Sequence, residues 1–252
     1  MNNDFDFTIV VSSFNRDDKI RETLSRIFDS DLNGFNKIDL IIIDDGSPRP
    51  VSDLLDGSLP IPDKFQFRLI EQENAGIGAT RNRGFRAARS NLVLFLDDDI
   101  LINPDTLNLL VAANLEQNHG VVFGSYPFIS HESESLKQFA QKLYGYDRMS
   151  NRTVYEKVDA ITSGLLSVDK AKVGHLDYLY QDNLSVPAAE EHEIIYRFHE
   201  LGIPIFHALH ISAIHNHHLE LSWLVTQQVK YGLATAEAFQ KYPDILKMSK
   251  FA

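Results

Sequence analysis

Four short apolar runs, each closing on a polar or acidic cluster, constrain this chain more than any other feature. Residues 7–12 (FTIVVS), 38–43 (IDLIII), 65–70 and 92–96 (LVLFL) are rich in β-branched and aliphatic side chains. Their near-continuous apolarity is that of strands covered on both faces. Between them the period changes. Residues 17–29 set Ile20, Leu24, Ile27 and Phe28 on one helical face, 76–88 form a helix opened by glycine, and Pro104 leads into a helix over 106–117. Strand–helix alternation of this kind predicts an α/β fold, a mostly parallel sheet with helices on both faces. In such sheets ligands bind outside the carboxyl ends of the strands. Those ends are Ser12-Ser13-Phe14-Asn15, Asp44-Asp45-Gly46-Ser47 and Asp97-Asp98-Asp99.

The second half is less regular. It predicts a strand at 121–126, a helix at 136–146, a short strand region at 159–168 that includes Ser163-Gly164, and a helix at 190–201 ending at Gly202. A strand near 203–207 and an amphipathic helix over 219–242, stopping before Pro243, complete the pattern. The stretch 47–62 is a loop with a short helix.

Charge and cysteine content narrow the chemistry. Over 252 residues, 24 Lys+Arg stand against 35 Asp+Glu, a net charge of −11, which argues against nucleic-acid binding. Cysteine is absent, which removes disulfides, thiolate catalysis and Cys-ligated zinc. The acidic N-terminus lacks the features of a signal peptide, and no apolar run approaches the roughly 20 residues of a membrane span. The expected location is the cytoplasm.

Three adjacent carboxylates at Asp97–Asp99 repel one another unless a counter-charge is present. They are either the anchor of a hard divalent cation or a solvated turn capping the next helix. Asp44-Asp45-Gly46 is either a tight turn or an acceptor for a base N–H or ribose hydroxyl. The run from Asn74 to Gly84 joins glycines to a helix N-terminus, which offers amides to an anion, and Arg81 adds a charged donor. It is not a Walker A loop, since no Gly-Lys-Ser/Thr follows.

These motifs together resemble the family 2 glycosyltransferases. The family's order is a Pro-Thr-Tyr-Asn-Arg-like turn, Val-Asp-Asp-Gly-Ser, Asn-x-Gly-x-x-x-Ala-Arg-Asn-x-Gly and Phe-Leu-Asp-Asp-Asp. Here they stand as Ser12 to Arg16, Ile43 to Ser47, Asn74 to Gly84 and Phe95 to Asp99, with Ser12-Ser13 for Pro-Thr, Phe14 for Tyr and Thr80 for the usual small residue. Further on, Glu190-Glu191-His192-Glu193 opens a helix similar to the family's Glu-Asp-x-Asp-Leu-x-x-Arg-Leu element, with Glu for Asp at 191. Without the resemblance, the same glutamates are a helix N-terminus complementing its dipole.

The resemblance implies a GT-A (Rossmann-like) fold with a C-terminal helical extension. It divides the chain into a catalytic domain over 1–218, with a nucleotide-sugar half at 1–126 and an acceptor half at 127–218, followed by a helix and tail at 219–252. It implies a metal-dependent, inverting hexosyl- or N-acetylhexosaminyltransferase that moves sugar from a nucleoside-diphosphate donor, UDP foremost, to a saccharide or glycoconjugate acceptor. Ser13, Phe14, Asn15, Asp44, Asp45, Asn74, Gly76, Arg81, Asp97 and Asp98 are then the donor-binding residues, and Glu191 is the base. Mn²⁺ or Mg²⁺ would sit on Asp99. Seven of the ten histidines lie between His192 and His218. This is a metal-binding tract in composition, and within the family pattern His215 is the metal ligand, with His217 second. Zinc is disfavoured by the acidic donor set. Ser163, Gly164 and Glu190, together with 180–183, are candidates for the acceptor side on position alone.

Two other readings stay open: a sugar-phosphate nucleotidyltransferase, and a non-catalytic nucleotide-sugar-binding protein. The last helix carries Leu221, Leu224, Val225, Val229, Leu233, Ala236 and Phe239 at helical spacing. It either packs on the catalytic domain or makes peripheral contact with a membrane or partner, although Lys230 and Lys241 are a poor footprint for anionic lipid.

Overall fold

The computed structural model describes residues 4–16, 19–55, 57, 59–115, 120–131, 133–174, 176–180 and 190–241. The predicted alternation is present. β1 (Phe7–Ser13), α1 (Lys19–Phe28), β2 (Ile38–Asp44), α2 (Val51–Leu54), β3 (Phe65–Glu71), α3 (Ile77–Ala87) and β4 (Leu92–Asp97) follow one another. β1 pairs in parallel with β2 on one side and β4 on the other, and β3 extends the parallel set beyond β2. The register sets Ser13 opposite Asp44 and Ser12 opposite Asp97, so three strands end at one level.

Period-two alternation sorts β1 between two cores. Phe7, Ile9 and Val11 pack with Ile20, Leu24 and Ile27 of α1 and with Leu107, Leu110 and Val111 of α4 (Thr106–Leu115). Val10 faces the other way, with Phe85 of α3 and with Ile194 and Phe198 of α7 (Glu191–Glu200). Both faces of the sheet are therefore covered, as the apolar runs require. Gly84 sits where α3 lies flat on β1. A Cβ there would fall inside the van der Waals shell of Val10 Cγ1.

Beyond β4 the sheet changes direction. β9 (Leu165–Asp169) runs antiparallel to both β4 and β6 (Val121–Ser125), and β6 pairs in parallel with β10 (Ile205–Leu219). β10 is the largest departure from expectation. It runs for 15 residues instead of closing near 207, and its pairing with β6 shifts register between His207 and Ser212. Past that shift it pairs antiparallel with β5 (Ile100–Ile102) and in parallel with β7 (Phe128–His131). Its first half also pairs with β8 (Tyr155–Val158). The short strand region expected at 159–168 is a loop over 159–164 that reaches the site, followed by β9; β8 lies just before it. β5, β7 and β8 have three or four residues each, too short to show a period. A minor helix, α6 (Lys170–Val173), follows β9. α5 (Glu134–Leu143) and a 3-10 turn at Tyr146–Arg148 replace the single helix expected at 136–146.

The chain closes on α8 (Leu221–Lys241). Leu224, Ala234 and Ala238 are its buried residues, whereas Leu221, Val225, Val229 and Leu233 are each more than half exposed. Only part of the apolar set assigned by spacing therefore packs on the catalytic domain. Among the described residues, no helix is long and apolar enough to cross a membrane.

Candidate functional site

The ends of β1, β2 and β4 are tied together by their own carboxylates. Asp44 accepts from the amides of Ser47 (3.0 Å) and Val51 (2.8 Å), fixing the turn into α2. Asp45 accepts from the amides of Ala75 and Gly76, both at 2.9 Å, and from Gln72 Nε2 at 2.6 Å. Asn74 Nδ2 donates to the Asp45 carbonyl at 3.0 Å. The sequence offered these carboxylates to a nucleoside and these amides to an anion. In the structure they meet each other, because unpaired amides entering a helix attract the nearest buried carboxylate. The result is a fixed rim at the end of β2. Above it Phe14 is 46% exposed, and Asn15 adopts a left-handed conformation (φ 53°) while its amide donates to Ser47 Oγ at 2.9 Å. Asparagine tolerates that region better than most residues.

Arg81 joins the two halves of the molecule. Its Nη2 donates to Asp97 at 2.7 Å and its Nη1 to Glu190 at 2.6 Å, with 5% of the side chain exposed. Burial alone would lower its pKa, but Asp97 and Glu190 outweigh that and keep it charged. Its Nε is buried with no hydrogen-bond partner among the described residues. Gly164 allows close approach here: a Cβ would lie 2.8 Å from Asp97 Oδ2 and 3.0 Å from the Tyr126 ring.

The three adjacent aspartates have different surroundings. Asp97 keeps 28% of its side chain exposed. Asp98 points into the protein and accepts from Ser13 Oγ at 2.7 Å; burial, followed by the Asp99 charge, pushes its carboxyl up to about 7. Asp99 lies 3.3 Å from His215 Nε2, 3.6 Å from Arg16 and 4.0 Å from Lys19. Burial would raise the Asp99 pKa, but the His215 hydrogen bond and these charges lower it. The pairing of β5 with β10 creates this contact, since Ile100 stands opposite His215. His217 lies 4.5 Å from Trp223 with the two ring planes tilted by 44°, and burial pushes its ring down to about 4.

Asp97, Arg81, Ser163, Gly164, Glu190, Glu191 and His215 all line one cavity of about 560 Å³. Glu191, the first residue of α7, has its carboxyl pushed up to about 7 by burial and then by the Glu190 charge, with Arg81 opposing. Ser163 Oγ is close enough to Glu191 and Tyr180 to act on both, yet it makes no hydrogen bond among the described residues. Of the 180–183 candidates, Tyr180 packs under Arg81 with its ring centre 5.3 Å from the guanidinium; 181–183 lie outside the described residues.

The far wall of the cavity was not foreseen. Trp223, Gln227, Tyr231, Thr235 and Phe239 of α8 face it, and Tyr126, Phe128, Tyr144 and Tyr146 add a second aromatic group. A four-residue interval links the α8 positions, so a signal existed. It was masked by the parallel apolar row at 221, 225, 229 and 233.

Two protein donors, Asp99 and His215, converge at one point. Among the described residues, no three acids or histidines form a cage for a metal ion. A hard divalent cation that keeps most of its shell for phosphate and water oxygens fits such a set.

The sequence model described as "Glycosyl transferase family 2" matches residues 8–173, from β1 through α6. The chain belongs to glycosyl transferase family 2. The match takes in the rim, Arg81 and the three aspartates of this family 2 chain; Glu190, Glu191, His215 and α8 lie beyond it. A putative glycosyltransferase of Bacillus subtilis, EpsH, is 33% identical over 98 residues, covering 39% of this chain and 27% of that protein. The chain thus spans well under half of that relative's length.

Solved structures place the fold among GT-A glycosyltransferases. A mannosyltransferase of Pyrobaculum calidifontis, in complex with GDP-Man and Mn²⁺, superposes with a TM-score of 0.66 at 16% identity, over 92% of this chain and 64% of that one. A fragment of S. aureus TarS in complex with UDP gives 0.61 at 16% identity, over 82% of this chain and 58% of that one.

Proposed function

We propose that this family 2 chain transfers a sugar from a nucleoside diphosphate donor to an acceptor hydroxyl with inversion, and that Glu191 is the base. The observation that carries this reading is the position of Glu191. It lines the same cavity as Asp97, and its surroundings hold its proton affinity near neutrality. A base with such affinity accepts a proton efficiently at working pH.

In the proposed step the acceptor O–H gives its proton to Glu191 while its oxygen attacks the anomeric carbon. The bond from that carbon to the diphosphate oxygen breaks, and its electron pair leaves with the nucleoside diphosphate. One displacement inverts the centre and needs no enzyme nucleophile. Phe14 offers a flat face to the base, and the rim at Ser13, Asn15, Asp44, Asp45, Asn74 and Gly76 shapes the nucleoside pocket. Arg81 holds Asp97 and Glu190 in place between donor and acceptor. Asp99 and His215 would hold Mn²⁺ or Mg²⁺, which supplies positive charge to the leaving diphosphate when bound. UDP is the first donor to test, because a neighbour in fold binds it. Participation in polysaccharide or other glycoconjugate synthesis follows from the same reading.

The test is incubation of the chain with UDP- and GDP-sugars and Mn²⁺. Release of nucleoside diphosphate supports the transferase, and release of pyrophosphate would point to nucleotidyl transfer instead. No turnover with any donor that binds would leave a binding protein.

A further inference from the structure

The cavity beyond Asp97 has a composition that selects its occupant. Its charged lining is acidic: Asp97, Asp159, Glu190 and Glu191. Among the described residues, Arg81 is its one permanently charged cation, and Asp97 and Glu190 already hold that guanidinium. His215 also lines the cavity, 3.3 Å from Asp99 at the end assigned above to the metal and the diphosphate. His192 is no substitute. Burial lowers its proton affinity, and its Nε2 is hydrogen-bonded to Thr235 Oγ1 at 2.8 Å.

Away from the Asp99–His215 pair, a phosphate or carboxylate brought between Glu190, Glu191 and α8 would lose water and meet like charge, a combination that rejects a ligand strongly. A neutral sugar meets no such penalty. Its C–H face carries slightly positive hydrogens that suit the negative face of an aromatic ring. Trp223 and Tyr231, two turns apart on α8, supply such rings. Thr162 Oγ1 and Ser163 Oγ, buried in the same lining, have Tyr126, Tyr180 and Glu191 near them but no well-formed hydrogen bond among the described residues, and supply partners for hydroxyls.

We propose that the cavity takes an uncharged saccharide as acceptor, that Trp223 and Tyr231 of α8 hold it by stacking, and that an acidic group on the sugar to be extended excludes it. This rests on the glycosyl-transfer reading above.

The experiment measures equilibrium binding of the full chain to neutral methyl β-disaccharides and to their counterparts oxidised at C6 to the uronide. The neutral members are expected to bind at least about tenfold more tightly, a margin of 1.4 kcal/mol. Trp223→Ala is expected to weaken that binding about tenfold, and Trp223→Phe to restore most of it. Val225→Ala, on the exposed side of the same helix, is expected to leave it unchanged, which separates stacking from loss of fold. Gln227→Lys is expected to narrow or reverse the preference against the uronide.

Uronides bound as tightly as neutral sugars, no binding of any neutral member, or indifference to Trp223→Ala would each overturn the proposal. Donor turnover is measured separately. Neutral-sugar selectivity without nucleoside diphosphate release would sink the transferase and keep the saccharide site; release with a preference for uronides would do the reverse.

Discussion

Removing the Arg81 guanidinium would leave Asp97 and Glu190 facing each other with no counter-charge. Breaking a buried ion pair from one side costs about 3–5 kcal/mol, so Arg81→Met is expected to lower the urea midpoint by a corresponding amount. An unchanged midpoint would mean that the two carboxylates find other partners. Glu191 gives a second prediction at this scale. Because the base works deprotonated, kcat/KM is expected to rise with pH through about 7, its pKa in the folded protein. Glu191→Gln is expected to reduce transfer by about 10²–10⁴-fold and abolish that rise, with nucleotide binding retained. A full-rate Gln variant would remove Glu191 from the base role. The residue types at these positions were legible in the sequence. That Arg81 spans residues 97 and 190, or that Asp45 accepts from 75 and 76, was not, since no local spacing encodes a partner so far along the chain.

Elements turned on contact more than on period. Gly84 is a good example: its helix was legible, but the flat packing on Val10 that excludes a side chain was not. Gly84→Ala is expected to cost about 1–3 kcal/mol, the usual range for overpacking, and to lower Tm accordingly. α8 shows the opposite case. Its apolar residues occupy more than one face, so periodicity identified a helix without saying which side packs. β10 exceeded its expected length because its second half finds β5 and β7 as partners. That pairing alone brings His215 to Asp99. His215→Ala is therefore expected to raise the Mn²⁺ concentration needed for half-maximal donor hydrolysis, and chelation by EDTA to stop it. An unchanged Mn²⁺ requirement would take His215 out of the metal's shell.

At the scale of the molecule, His207 connects the sheet to pH. It is 4% exposed, stacks on Phe123 at 4.5 Å, and its Nε2 shares a 2.8 Å hydrogen bond with Ser125 Oγ. Burial, then the Arg148 charge, pushes its ring down from 6.5 to about 4. The unfolded chain thus takes up this proton at higher pH than the folded one. The stability linked to His207 is present above about 6.5 and is lost as pH falls toward 4. His207→Gln keeps a polar partner for Ser125 and is expected to shrink the difference between denaturant midpoints at pH 7 and pH 4.5. An identical difference in both proteins would assign the acid sensitivity elsewhere.

The sequence by itself determined the parallel half of the sheet, the polar and acidic clusters at its strand ends, and the family. Those follow from local hydrophobic period and from motifs of a few residues, which act through near neighbours. The tertiary structure decided which carboxylates pair with Arg81, how Asp99 meets His215, and that α8 turns its aromatic side to the cavity. Each depends on residues tens of positions apart whose burial, not their spacing, fixes the contact.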